Sequence, residues 1–146
     1  MQNQSLINDK KLIIEFKNEP DLPLVECDNT KIFQVITNFL SNSIKFTPKG
    51  KKVKIFVSQE SKNLSVCIED EGVGIPEDEL ETIFDKFAQS SKTKSGAGGT
   101  GLGLAICKEI IIAHKGKIWA ENNSSGGARF ILVIPISQKN QEKENV

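Results

Sequence analysis

An α+β fold class follows from three stretches of the chain. Asp28–Phe46, DNTKIFQVITNFLSNSIKF, places apolar residues at helical spacing. Lys52–Ser58 and Leu64–Asp70 alternate apolar and polar residues, as two half-buried antiparallel strands do. Lys117–Glu121 and Arg129–Ile136 read as a closing hairpin across Ser124-Ser125-Gly126-Gly127. At 146 residues the chain suits one domain with a proper core. Its 19 basic and 19 acidic side chains cancel, so no global field argues for nucleic acid or an anionic membrane. Any anion site must be local. No apolar run approaches the roughly 20 residues of a membrane span, and no signal peptide opens the chain. Cys27, Cys67 and Cys107 form no CxxC pair and have no nearby histidine, which suits buried free thiols in a reducing, cytoplasmic compartment.

In chain order, residues 1–10 are polar and expected to be either loose or the end of a link from something upstream. Lys11–Lys17 is rich in strand formers and stops at Asn18-Glu19-Pro20. Pro23–Cys27 reads as a second short strand leading to Asp28, a good N-cap. Thr47-Pro48-Lys49-Gly50 ends the long helix, since proline cannot continue it and Gly50 supplies a turn. After the strand pair joined through Glu60–Asn63, Glu77–Phe84 reads as a short helix behind Pro76. Ala88–Gly99, AQSSKTKSGAGG, is a glycine-rich loop, of a kind that serves as a lid or is simply disordered. Thr100-Gly101-Leu102-Gly103-Leu104-Ala105-Ile106 opens a helix running to about Lys115, with Gly116 at its C′ position. Residues 137–146 form a polar tail.

Two features of this layout carry chemistry. On the long helix, Ile32, Val35, Ile36, Phe39, Leu40 and Ile44 share one side. Gln34, Asn38, Asn42 and Lys45 fall within roughly 80° of one another on the other. Carboxamide oxygens can ligate a hard cation without adding charge, and an ammonium one turn on can meet an anion; a plain solvated face is the competing reading. Second, the period of two aims Asp70 toward the apolar side with Leu64, Val66 and Ile68. A carboxylate so placed must find a partner or serve a ligand. Gly72 and Gly74 follow it at once, letting the backbone adopt positive φ or lie flat against a ligand.

No GxxxxGK[ST] occurs, and GGTGLG lacks the preceding strand and downstream acidic residue of a dinucleotide fold. The combination instead resembles the catalytic ATP-binding domain of sensor histidine kinases. NFLSNSIKF (Asn38–Phe46) resembles the N box, DEGVGIP (Asp70–Pro76) the G1 box, IFDKF (Ile83–Phe87) the F box and GAGGTGLGLAI (Gly96–Ile106) the G2 box. All four stand in family order, and the likeness spans residues 11–136. It implies the GHKL (Bergerat) fold shared with gyrase, mismatch-repair ATPases and a chaperone ATPase. That fold is a two-layer α/β sandwich, its mixed, mostly antiparallel sheet carrying helices on one face.

Carried over position by position, the resemblance implies Mg²⁺ on Asn42, flanked by Asn38, with Lys45 answering phosphate charge. Asn42 and Lys45 would be the catalytic pair. Asp70 would accept the adenine amino hydrogen, with Gly72, Gly74 and Ile75 beside the ring. Thr100, Gly101, Leu102, Gly103 and Leu104 would meet the phosphates, and Ala88–Gly99 would be the lid. Many relatives carry an arginine shortly after the second F-box phenylalanine; here Ala88-Gln89 follows, so the γ-phosphate contact falls to Lys92 or Lys94 or to nothing. The implied substrate is Mg²⁺-ATP, and the implied partners are a dimerisation domain bearing the phosphoacceptor histidine and a response regulator. His114 stands too late to be that acceptor. The isolated domain is expected to be a monomer with little turnover, and the full kinase a homodimer; this domain would touch neither nucleic acid nor membrane. A nucleotide-holding pseudokinase and a serine kinase of the anti-sigma-factor type are the alternatives.

Overall fold

The structure, a computed structural model, describes residues 4–85 and 103–137. Its elements are α1 (Gln4–Lys10), β1 (Ile13–Asn18), α2 (Asn29–Phe46), β2 (Lys52–Glu60), β3 (Asn63–Asp70), two 3-10 turns (Glu77–Glu79 and Thr82–Phe84), α3 (Gly103–Ala113), β4 (Lys117–Asn122) and β5 (Ala128–Pro135). The strands form one mixed sheet in the order β1-β2-β3-β5-β4. Here β1 runs parallel to β2, and every other neighbouring pair is antiparallel. The fold is the α+β sandwich the sequence predicts. The lid Ala88–Gly99, with Lys92 and Lys94, lies outside the described residues, as do Phe87, Thr100, Gly101, Leu102 and nearly all of the tail.

Register decides which side of the sheet is buried. Ile55 faces Ile68, which faces Phe130; Val57 faces Val66, which faces Leu132. Partners across a ladder share a face, so Val53, Val66, Ile68, Phe130, Leu132 and Ile134 form one apolar surface. Against it bury Val35, Phe39 and Ile44 of α2 and Cys107, Ile110 and Ile111 of α3. Phe39 stacks on Phe130 with ring centroids 5.2 Å apart. Each such aliphatic or aromatic side chain contributes about 1.5–3 kcal/mol by leaving water, and the polar stripe of α2 is thereby turned away from the sheet.

The helix starts as its cap dictates: Asp28 Oδ1 accepts the Lys31 N–H at 3.1 Å. Its far end is held by a residue that sequence reasoning placed in a loose segment. Residues 4–10 are instead the helix α1, anchored by buried Ile7. Lys10 Nζ donates to the carbonyls of Ile44, Lys45 and Thr47 at 3.0, 2.7 and 3.3 Å. These are the carbonyls a helix end leaves unpaired, and they sit at its negative pole.

Three more expectations are corrected. Pro23–Cys27 is not a strand: Pro23 has no N–H to give, the Glu26 N–H reaches the Ile136 carbonyl at 2.8 Å without extending into a ladder, and Leu24 is 97% exposed. Glu77–Phe84 divides into two 3-10 turns: Glu77–Glu79 has no buried residue, while Ile83 and Phe84 are buried in the core and Leu80 packs against it. The helix expected to reach Lys115 ends at Ala113, and Gly116 is not C′. Lys115 takes the left-handed position at φ 64°, while Gly116 N–H closes onto the Ile111 carbonyl at 2.9 Å as C″. Glycine is needed at 116 for space, since a Cβ would stand 2.2 Å from the Val133 carbonyl oxygen.

Candidate functional site

The glycine-flanked aspartate meets the C-terminal half of α2 at Ser43 and Phe46, not at its polar stripe. Asp70 ends β3 on its buried face and is 4% exposed. Its Oδ1 accepts two backbone N–H groups, from Gly72 at 2.8 Å and Ala128 at 3.0 Å. Ser43, fully buried and next in sequence to Asn42, turns its hydroxyl to the same carboxylate. That hydroxyl falls short of an ordinary hydrogen bond and is otherwise unpartnered among the described residues. Desolvation raises the Asp70 pKa above the ordinary aspartate value, opposed by the two N–H groups and Ser43, while nearby Glu69 adds to the rise. No described lysine or arginine contributes to the shift. Asp70 is a buried acceptor steadied by dipoles, with acceptor capacity left over.

The loop after Asp70 lies flat on the C-terminal turn of α2. A Cβ on Gly72 would stand 2.5 Å from the Phe46 carbonyl oxygen, so only glycine permits this approach. Gly74 takes φ 76°. Ile75 packs its side chain against the core and gives both backbone groups to one residue: its N–H bonds Asn122 Oδ1 at 2.8 Å, and its carbonyl accepts from Asn122 Nδ2 at 2.6 Å. Asn122 was absent from the sequence reading. It belongs to no motif, and a polar residue at a strand's end gives no signal of what it holds. Ser43 did leave one: at helical spacing it falls in the centre of the apolar stripe.

At the other end of the stripe, Asn38 Nδ2 reaches the Gly103 carbonyl at 3.5 Å and Cys107 Sγ at 3.4 Å, bringing the first turn of α3 beside α2. Asn38 and Asn42 are half-buried and Lys45 is exposed. Leu104 packs its side chain toward the core, leaving only its backbone to the site. The structure thus brings Asn38 to Gly103, holds Asp70 with Gly72, and seats Gly74 and Ile75 against Asn122, while Asn42 and Lys45 lie on α2 between Asn38 and Phe46. Phe84 is buried in the core cluster. The expectation of three buried thiols holds fully only for Cys107, since Cys27 and Cys67 are half-buried. Burial pushes the Cys67 and Cys107 thiols up to about 11, so both are protonated at neutral pH.

Chain comparisons fit this geometry. The family profile described as "Histidine kinase-, DNA gyrase B-, and HSP90-like ATPase" matches residues 27–138. Sensor histidine kinase WalK of Bacillus subtilis is 40% identical over 138 residues, covering 91% of this chain and 23% of WalK. The chain thus spans about a quarter of that relative. The catalytic domain of histidine kinase ThkA superposes with a TM-score of 0.82 at 36% identity, over 94% of this chain and 88% of that domain. ThkA in complex with response regulator protein TrrA matches at 0.78 and 32%, over 94% of this chain and 38% of that one. Full-length ShkA in complex with AMPPNP gives 0.82 at 26%, over 93% of this chain and 28% of that one.

Proposed function

The chain belongs to the histidine kinase-, DNA gyrase B- and HSP90-like ATPase family, and on that ground we propose that it binds Mg²⁺-ATP and presents the γ-phosphoryl to a histidine on a dimerisation domain. The observation that carries this reading is Asp70. A carboxylate buried at the end of β3, engaged on one oxygen by the N–H groups of Gly72 and Ala128, suits the exocyclic amino group of adenine. The close approach of Gly72 to α2 and the left-handed Gly74 set the path of the backbone beside Asp70.

The donor set also suits the metal. Among the described residues no cluster of three or more His, Cys, Asp or Glu could hold an ion alone. A neutral carboxamide on Asn42 is instead what magnesium accepts when substrate phosphates and water supply its other oxygens. Bound there, the ion would neutralise charge along the phosphates. Lys45 would add an ammonium, Asn38 would hold the start of α3 in place, and the backbone of Gly103 would face the phosphate end. Catalysis by this chain is positioning and charge neutralisation; the acceptor histidine and its base come from another domain. ThkA's complex with TrrA supports a response regulator as the eventual recipient, and a homodimer supplying the acceptor histidine is part of the same proposal.

Two measurements test this. Calorimetric titration of the chain with ATP and Mg²⁺ should give saturable, magnesium-dependent binding. Joined to a histidine-bearing dimerisation domain, the chain should then transfer labelled phosphate to an acid-labile product. An acid-stable phosphoserine would point to the serine-kinase branch, and binding without any transfer to a pseudokinase.

A further inference from the structure

We infer that Asn122 is a positioning residue for nucleotide recognition: its carboxamide fixes the Ile75 backbone and so sets where the adenine-facing loop lies relative to Asp70. The inference deepens the ATP-binding reading and rests on it. The β4–β5 hairpin grips that loop at both ends. At one end the Ala128 N–H holds Asp70 Oδ1 at 3.0 Å. At the other, Asn122 Oδ1 accepts the Ile75 N–H at 2.8 Å and its Nδ2 donates to the Ile75 carbonyl at 2.6 Å. Asn122 and Ala128 are themselves paired across the hairpin, so the two grips form one unit.

The side chain acts here as a strand would, offering donor and acceptor to a single residue. Gly74 fits the same clamp, because a Cβ there would come within 3.2 Å of Asn122 Oδ1. Behind the hairpin turn, Gly127 lies against the Asp70 backbone, and its carbonyl accepts the Asn123 N–H at 3.0 Å. With both ends of Asp70–Ile75 held, the loop's four intervening residues need no further ordering when a planar ring enters. Removing the amide frees Ile75 N–H and C=O to seek water, and the competent loop becomes one of several.

The test uses the 146-residue chain and its Asn122→Ala variant. If the competent loop falls to about a tenth of the population, the apparent Kd for Mg²⁺-ATP rises about tenfold. Preference for ATP over GTP should shrink as well, because GTP gains less from the competent loop and so loses less when that loop is depopulated. The Ile75 amide should exchange with solvent faster in the free variant and regain protection with saturating ATP. A merely structural role would lower Tm yet leave the ATP-to-GTP ratio, measured well below Tm, where it was. Should Asn122→Ala not fold, Asn122→Ser keeps a shorter polar group and should give an intermediate loss. An unchanged Kd and ratio in either folded variant, with the unmodified chain binding normally, overturns the inference alone. No ATP binding by the unmodified chain would overturn the ATP reading and this inference with it.

Discussion

Asp70 and Ala128, 58 positions apart, are joined by a 3.0 Å hydrogen bond from the backbone N–H to Oδ1. The aspartate therefore keeps its orientation without a counter-charge, and its chemistry can be separated from its structural role. In Asp70→Asn, Oδ1 can still accept the Gly72 and Ala128 N–H groups, while the buried charge is gone. ATP affinity should fall by about 1.5–3 kcal/mol, the worth of a hydrogen bond to a charged group. Thermal stability should hold or rise. Calorimetry and a melting curve on the same variant check both halves, and retained affinity would remove Asp70 from adenine recognition.

The raised Asp70 pKa gives a pH dependence whose sign is fixed. Desolvation favours the neutral carboxyl in the folded chain, so the folded state holds this proton at pH values where the unfolded chain has released it. The stability from that neutral form is present below the ordinary aspartate pKa. It is lost as pH rises through the ordinary value to the raised folded one. Adenine needs the ionised acceptor, so ATP affinity should decline on acidification before the ordinary aspartate range is reached. Asp70→Asn should show no such slope. Equal slopes in the two proteins would mean that another group titrates.

Much of this site was legible in the chain because it lies on periodic elements. Asp70 declared its inward aim by the alternation of β3, and the helix that carries Asn38, Asn42 and Lys45 declared itself by its spacing. What holds those residues was not legible. Asn122 and Ala128 act through contacts 47 and 58 positions away, and a backbone N–H carries no side-chain signature. Residues 4–10 were misjudged for a related reason. Their composition is polar, and the burial of one isoleucine with the docking of one ammonium, both tertiary, made them a helix. Pro23–Cys27 failed in the opposite direction, since strand-like residues there have no neighbouring ladder.

Gly127→Ala should be among the most damaging single-methyl additions to this hairpin. The residue has φ 90°, and a Cβ would stand 2.0 Å from the Asp70 carbonyl oxygen. Strain of that kind costs about 1–3 kcal/mol before any displacement. Relief by moving the turn would shift the Ala128 N–H from Asp70. The variant should therefore lose both Tm and ATP affinity. Gly126→Ala, at φ 101° but with open space around it, should lose stability while keeping affinity. Equal affinity losses in the two would show that backbone strain, not contact with Asp70, is responsible.

His114 ties the end of α3 to the start of α2. Its Nδ1 lies 2.8 Å from the Ile110 carbonyl, which can only accept, so Nδ1 carries the hydrogen and Nε2 is free to accept the Asp28 N–H at 3.0 Å. Nitrogen-15 NMR should find the neutral Nδ1–H tautomer in the folded chain. His114→Phe keeps a ring but neither bond, and should cost about 1 kcal/mol. The opposite tautomer would break this link.

Lys10 ties the opposite end of the same helix, and its removal should be felt at Asn42 and Lys45. Three carbonyls, of Ile44, Lys45 and Thr47, converge on one ammonium at the negative pole of α2. Methionine retains the stem's volume while discarding both charge and donors, so Lys10→Met isolates the polar interaction. With the ammonium partly solvated, about 1–2 kcal/mol of stability should disappear. The urea midpoint should fall with an unchanged slope, because the exposed surface on unfolding stays the same. Lys10→Arg, which preserves charge and offers more donors, should recover part of the loss. Amide exchange should quicken in the last turn of α2 and the Gly72 segment lying on it, and spare the Asp28 end. A loss spread evenly along the helix would show that α1 stabilises α2 through the packing of Ile7 instead.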